Sequence, residues 1–255
     1  MDIKLGLGIP SGGTWQSYTG LCVASLVGHF ERSTYEGGEK AIEVLSVNAH
    51  LPQGRQLVVQ EAVKAACTHI LWIDSDMMSP PDSAQRLLAR GKAVVGCNYP
   101  RRSFPCIPTT YALGEFEGDS DGIVYSHDRA GLERVKHVGT GLLLTDIEVF
   151  NAVEPPWFVF EQTGEWGMKT RGEDVYFCEK YARETGLPVW VDHDLSREVS
   201  HVGDFVFTHD FAAAMRDVDP NSLGIVDARR QSLIDGDRTI AGAEIVHGAP
   251  DESAA

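Results

Sequence analysis

The sequence predicts an α/β fold with a mixed, mostly parallel central sheet flanked by helices, and the pattern that predicts it lies in residues 1–100. Short apolar runs recur at Ile3–Ile9, Ala41–Val47, His69–Ile73 and Ala93–Cys97. Their length and lack of polar alternation fit strands buried on both faces. Between them, Ser17–Phe30 and Gly54–Cys67 space their apolar residues as helices do; the second places Leu57, Val58, Ala62, Val63 and Ala66 on one stripe. Strand alternating with helix is the order of a doubly wound, Rossmann-like half.

In chain order, the first strand runs into the glycine-rich loop Pro10-Ser11-Gly12-Gly13. The His69–Ile73 strand stops at Asp74-Ser75-Asp76. A helix follows, with Ser79 as cap, Pro80 at the favoured first position, Asp82 three residues after the cap and Gly91 as its stop. From Ile107 the pattern changes to strand pieces, Thr109–Phe116 and Gly122–Ser126, around the turn Gly118-Asp119-Ser120-Asp121. Leu142–Leu144 is a strand leading into Thr145-Asp146-Ile147-Glu148, which has the form of a capping box. Glu173–Glu184 reads as a helix closed by Gly186, and Pro188–Val191 as a strand. Residues 1–205 are expected to form one domain, with about 1–100 and about 101–205 as its halves. Residues 206–255 are a C-terminal extension whose end, Gly248–Ala255, is expected to be disordered.

Composition narrows the function. With 255 residues and 43% hydrophobic content the chain can bury a core without disulfide or metal staples. The 22 basic and 37 acidic side chains give a net charge of −15, which disfavours nonspecific binding to nucleic acid or to an anionic membrane. Cys22, Cys67, Cys97, Cys106 and Cys178 are odd in number and form no C-x-x-C pair, so buried free thiols are expected. No apolar run approaches the ~20 residues of a membrane span, and Met1-Asp2-Ile3-Lys4 lacks the order of a signal peptide. A cytoplasmic protein without a membrane span is expected.

Asp74 and Asp76 directly follow a buried strand, where ligands of open α/β sheets bind. Residues two apart in extended chain point to one side, so both carboxylates can face one hard cation. A D-x-D also marks many solvated turns; here a second acidic pair and a histidine strengthen the functional reading. That pair is Glu173-Asp174 at a helix start, where carboxylates also simply favour the helix dipole. The histidine is His201, in Ser200-His201-Val202-Gly203. Gly139-Thr140-Gly141 lets backbone approach a ligand or makes a tight turn. Arg101, Arg102 and Arg171 have the planar fork that suits phosphate oxygens. Arg171 lies in a glycine-punctuated segment, Gly164–Gly172, that reads as a mobile loop able to close over a ligand. Trp157 precedes it and Trp166 lies within it; Trp166 is the candidate to stack on an acceptor, and Trp157 is more readily a core residue.

The segments HILWIDSDMMSPPDSAQRLLARGKAVVGCNYPRR, VGTGLLLTDIEVF and GEDVYFCEKYARETGLPVWVD, followed by HVG, resemble the metal-dependent glycosyltransferases of the GT-A fold, similar to family 2 enzymes and to compact bacteriophage-type members, over residues 3–205. The resemblance implies a nucleotide-diphospho-sugar donor held through Mn²⁺ or Mg²⁺ by Asp74 and Asp76, with His201 completing the metal shell and Asp174 as catalytic base beside Glu173. The expected donor-binding set joins Pro10, Ser11, Arg55, Asp74 and Ser75 to Arg101, Arg102, Gly139, Thr140, Gly141 and Arg171. A Q-x-x-R-W run is absent, which argues against a processive polysaccharide synthase. Ser11-Gly12-Gly13-Thr14 lacks the asparagine usual in the family's first-strand turn. The acceptor is not legible: a glycan, a virion protein or a modified DNA base would each fit, so nucleic acid enters only as an acceptor. A nucleotidyltransferase and a GT-A-like sugar- or nucleotide-binding protein without turnover are the competing readings. The first is disfavoured because Ile9–Thr14 carries no Lys or Arg, the second by the full set of acidic residues and histidine.

Overall fold

A computed structural model describes residues 2–35, 38–116, 121–203 and 206–218. In chain order these form β1 (Ile3–Ser11), α1 (Ser17–Arg32), β2 (Lys40–Asn48), α2 (Leu51–Lys64), β3 (His69–Ile73), β4 (Met77–Met78), α3 (Ser83–Ala89), β5 (Val94–Gly96) and β6 (Tyr111–Ala112). There follow β7 (Leu132–His137), β8 (Leu142–Asp146), α4 (Val149–Ala152), β9 (Glu161–Thr163), β10 (Lys169–Arg171), α5 (Glu173–Thr185), β11 (Val189–Asp192), α6 (His193–Ser196), β12 (Ser200–Val202), β13 (Val206–Phe207) and α7 (His209–Met215).

The main sheet has the order β2-β1-β3-β8-β5-β11-β7-β6. β1 pairs in parallel with β2 and β3, and β5 with β11. β8 runs antiparallel between β3 and β5, and β7 antiparallel between β11 and β6. The sheet is therefore mixed, not mostly parallel in its pairings. An apolar run such as Leu142–Leu144 reveals burial on both faces but not direction, which is set by the neighbours the strand meets. β7 escaped the sequence because Glu133, Arg134 and Lys136 break its apolar pattern and only Val135 and His137 are buried.

Alternation along each strand feeds two cores. On one face Ile70, Trp72, Leu143 and Val191 meet Val58, Val59 and Ala62 of α2 and Phe177 and Tyr181 of α5, with Phe150 and Phe158 filling between. On the other, Leu5, Leu7, Leu71, Ile73 and Leu144 meet Val23, Leu26 and Phe30 of α1 and Ala84 and Leu87 of α3. Each such fully buried side chain stabilises by about 1.5–3 kcal/mol.

Several local expectations change. α3 starts at Ser83, not beside Ser79, because the residue before a proline avoids helical backbone and Pro80 precedes Pro81; the Pro80 carbonyl instead accepts from Ser83 N at 3.2 Å and Ser83 Oγ at 2.6 Å. Thr145 caps nothing: it lies inside β8, fully buried, and its Oγ1 accepts from Trp72 Nε1 at 3.1 Å. α2 begins at Leu51, ahead of Gly54, since Pro52 fits a first helical turn whose N–H groups have no partner in the helix. Of the strand pieces after Ile107, only Tyr111–Ala112 is a strand, and Gly122–Ser126 contributes just a bridge from Ile123 to Tyr111. Gly118, Asp119 and Ser120 of the expected turn, Asp204 and the Gly248–Ala255 end lie outside the described residues. All five cysteines are free and four are buried. The first compact unit extends through Arg216, so β13 and α7 belong to it although they lie past residue 205. Among the described residues, no helix is long and apolar enough to cross a membrane.

Candidate functional site

The site lies beyond the ends of β3 and β5 and at the start of α5. Asp74 follows β3, and its N–H donates to Gly141 O at 3.1 Å. Its Oδ1 accepts from Arg55 Nη2 at 2.8 Å, while Arg55 Nε donates to Glu173 Oε1 at 3.0 Å. Arg55 thus ties the end of β3 to the first turn of α5 from inside the core, its guanidinium 5.8 and 5.9 Å from the Trp72 and Phe158 ring centroids. Burial alone would lower its pKa; the charges of Asp74 and Glu173 outweigh that and hold it above its ordinary value. Arg55 Nη1 is buried without a hydrogen-bond partner among the described residues.

Asp174, next to Glu173, has its carboxyl pKa pushed up to about 6, first by burial and then by the Glu173 charge. Its Oδ1 accepts from Val175 N at 2.8 Å, within the first turn of α5.

Asp76 faces a guanidinium and an imidazole. Arg102 Nη2 lies 3.0 Å from its Oδ2, and His201 Nε2 lies 3.2 Å from its Oδ1. β12 brings His201 there, because His201 pairs with Met77 of β4. Burial pushes the Asp76 pKa up, but the His201 hydrogen bond and the His201 and Arg102 charges leave it below the usual carboxylate range. His201 Nδ1 is 3.1 Å from Pro100 O, which can only accept, so Nδ1 carries the proton. Nε2 is then either a second N–H or a lone pair facing a carboxylate. A lone pair there needs a cation between it and Asp76, and one imidazole with one carboxylate is donor chemistry that Mn²⁺ or Mg²⁺ accepts.

A cavity of about 680 Å³ joins these groups: Asp174, His201, Arg101 and Arg102 line it, as do Tyr99, Thr109, Thr170 and Phe207. Asp76 meets that lining through its contacts with Arg102 and His201, whereas Asp74 is held by Arg55, which is not part of the lining. Other expected residues fall elsewhere. Pro10 is buried within β1, and Ser11 ends that strand with its Oγ accepting from Gly13 N at 3.2 Å. The Ser75 carbonyl accepts from Gln16 N at 2.8 Å. Arg171 pairs with Glu161 at 3.1 Å and Glu179 at 3.2 Å and does not line the cavity. Gly139, Thr140 and Gly141 are buried, and what approaches them is Tyr99: a Cβ at Gly141 would lie 2.6 Å from Tyr99 Cζ, and one at Gly139 would collide with Tyr99 Oη. Their glycines make room for that phenol, whose oxygen accepts from Gly141 N at 2.9 Å. The segment expected as a loop is a hairpin, β9 and β10, with Trp166 at its tip at φ 58° and 90% exposed. Trp157 is a packing residue, as its indole N–H to Val153 O at 2.7 Å and its edge contact with Phe150 show.

Sequence reasoning missed Tyr99, whose ring also meets His201 edge-on at 5.4 Å. Its position directly after a buried strand was the available signal. Among the described residues, no three His, Cys, Asp or Glu side chains are grouped to hold a metal ion. Asp76 and His201 come together, while Asp74 is committed to Arg55.

No family model and no curated protein matches the chain. Among solved structures, A197 from STIV superimposes with a TM-score of 0.50 at 17% identity, covering 82% of this chain and 91% of that one. That likeness is one of fold, a mixed sheet flanked by helices that resembles GT-A-like folds. Weaker likenesses are to S. aureus TarS residues 1–349, with a TM-score of 0.41, 12% identity and coverage of 76% and 58%. A nucleoside-diphosphate-sugar pyrophosphorylase from Vibrio cholerae RC9 gives 0.37, 13%, 84% and 99%.

Proposed function

We propose that the chain is a metal-dependent glycosyltransferase, moving a sugar from a nucleotide-diphospho-sugar to an acceptor hydroxyl with inversion at the anomeric carbon. The observation that carries this reading is that His201, in contact with Asp76, and a carboxyl group of raised pKa, Asp174, line one cavity beyond the strand ends. Asp76 and His201 would hold Mn²⁺ or Mg²⁺, and the bound cation supplies neutralisation of the charge that develops on a diphosphate leaving group. Arg102, now paired with Asp76, is placed to meet phosphate oxygens from the same wall. Asp174 accepts the acceptor's proton; a carboxyl titrating near neutrality suits that work better than an ordinary one. Arg55 positions this machinery by fixing Asp74 and Glu173 on one guanidinium. Trp166, exposed at the hairpin tip, offers a face on which an acceptor ring can stack.

The test is a thermal-shift panel of nucleoside diphosphates and nucleotide sugars with and without Mn²⁺. A ligand at about 100 times its Kd stabilises by about 2.7 kcal/mol, and Asp76→Asn should abolish the Mn²⁺-dependent part. His201→Ala should weaken it less. Equal stabilisation of wild type and Asp76→Asn overturns the metal assignment, and binding of donor without any sugar transfer favours a non-catalytic binding protein.

A further inference from the structure

A second cavity, of about 430 Å³, shares Arg101 with the first and is walled by Tyr111, Glu115, Phe116, Lys136 and His137. We propose that it holds a phosphomonoester group carried by the acceptor, next to the hydroxyl that receives the sugar. The word acceptor rests on the transferase reading; the phosphate site itself does not.

Arg101 is the first reason. Its guanidinium makes no ion pair among the described residues, although acidic side chains outnumber basic ones 37 to 22. A cation with no ion pair among the described residues, on the wall between two cavities, is a fork suited to an anion. His137 is the second. It is only 8% exposed, and its Nδ1 is buried without a hydrogen-bond partner among the described residues. A polar atom so placed is normally satisfied, so a ligand group is the natural partner. Burial, followed by the charges of Lys136, Arg101 and Arg171, pushes the His137 pKa down to about 4. Arg101 and Lys136 therefore share the cavity wall with a neutral imidazole, which keeps one N–H to donate and does not itself supply charge.

Of the cations around His137, Lys136 and Arg171 already have carboxylate partners, and Arg101 has none among the described residues. Glu179 lies 3.7 Å from Lys136 Nζ and also serves Arg171 at 3.2 Å; Arg171 is shared further with Glu161. Among the described residues, Glu115 is the one carboxylate in the cavity wall. A phosphate offers oxygens to donors arriving from separate directions, here Arg101, Lys136 and the His137 ring, whereas one carboxylate has only two. The rest of the wall is aromatic: Tyr111 lies against His137 with ring centroids 4.8 Å apart, and Phe116 adds a second apolar face. Those faces suit the carbon body that bears the phosphate. Because Arg101 borders both cavities, a molecule anchored here extends toward Asp174, so its free hydroxyl meets the base.

The full chain, labelled with ¹⁵N-histidine, is titrated with inorganic phosphate and with glycerol 3-phosphate in the absence of metal and donor. Both are expected to give a saturable shift of the His137 ring nitrogens, with glycerol 3-phosphate binding more tightly. Lys136→Gln should weaken both by about 3- to 10-fold, the effect of one partly exposed charge-assisted hydrogen bond. Lys64→Gln, a charge-matched change on α2 far from either cavity wall, should leave binding as it was. His137→Gln, checked for folding by its melting curve, should lower affinity as well. No saturable shift at His137, or equal binding by Lys136→Gln and Lys64→Gln, overturns the site. Inorganic phosphate binding without glycerol 3-phosphate binding overturns its use for an acceptor. The transferase reading fails separately, on the nucleotide and Mn²⁺ panel, so a chain that shifts at His137 but ignores nucleotide keeps the phosphate site and loses the acceptor role.

Discussion

Asp174 is buried at a helix start beside a second carboxylate, so its own stability contribution runs opposite to that of most acidic residues. In the metal-free protein its pKa is about 6, above the ordinary 3.8. Below about pH 4 both folded and unfolded chains hold this proton, and the group has no pH effect. Between about pH 4 and 6 the folded chain alone holds it, so the native state binds more protons and stability falls as pH rises. Above that window the penalty for the buried charge is fully present. Asp174→Asn should therefore be more stable than wild type at pH 8 by about 1–3 kcal/mol and nearly equal to it at pH 4, as read by urea melts at both values. The same variant should keep donor and metal affinity while losing transfer by a factor on the order of 10² to 10⁴. Normal transfer at saturating donor would make Asp174 a positioning residue. At Thr145 the question is purely one of packing. Thr145→Val keeps the shape but leaves the Trp72 indole N–H buried without its acceptor, so a loss of about 1–3 kcal/mol is expected in the denaturation midpoint.

At the scale of elements, the hairpin of β9 and β10 separates two roles that its sequence mixed together. Lys169 and Arg171 followed by Glu173-Asp174 suggested a loop that meets diphosphate. The backbone instead pairs Lys169 with Thr163 and Arg171 with Glu161, and the Arg171 side chain bridges Glu161 to Glu179 of α5. Arg171 thus holds the hairpin against α5, while Arg102 faces Asp76 and the cavity. Arg102→Ala should accordingly raise the donor concentration needed for half-maximal transfer more than Arg171→Ala does. Arg171→Ala should speed amide exchange across 161–171 in the free protein. If exchange in that segment is unchanged by the variant, the bridge does not hold the hairpin. Strand-end carboxylates and the buried β1, β3, β5 and β8 were legible because burial on both faces leaves an apolar run, and helix α5 because the carboxylates of its first turn and its Gly186 stop are local. What could not be read was relational: the direction of β8, the pairing that brings His201 of β12 against Met77, and the burial of Tyr99 against two glycines 40 or so residues later. Local rules also lost where tertiary contacts outweighed them, as when Thr145 bonded Trp72 in a strand instead of capping a helix.

For the molecule as a whole, the site depends on a segment that the sequence placed outside the domain. Phe207 of β13 and Ala212 of α7 bury themselves with Cys106, and Tyr125, Phe211 and Met215 pack around them. His209, only 1% exposed, has its Nε2 hydrogen-bonded to the Asn98 carbonyl, which fixes Nε2 as donor. That carbonyl belongs to the turn carrying Tyr99, which packs on His201, and Pro100, whose carbonyl orients His201 at 3.1 Å. β13 also pairs directly with β12 through His201 and Phe207. A chain ending at Arg216 should therefore melt close to the full protein, since the first compact unit ends there. A chain ending at Gly203 loses the burial of Phe207 and Ala212 and the His209 anchor, and a buried aromatic alone is worth about 3–5 kcal/mol on truncation. It should melt far lower, and if it folds at low temperature it should lose the Mn²⁺-dependent response to nucleotide before it loses its sheet. Point variants separate the two effects: Ala212→Ser disturbs only the small core, whereas His209→Gln disturbs the Asn98 carbonyl and should reduce the Mn²⁺ response at matched stability. If His209→Gln and Ala212→Ser destabilise equally and leave that response intact, β13 and α7 are a structural cover and His201 is positioned without them.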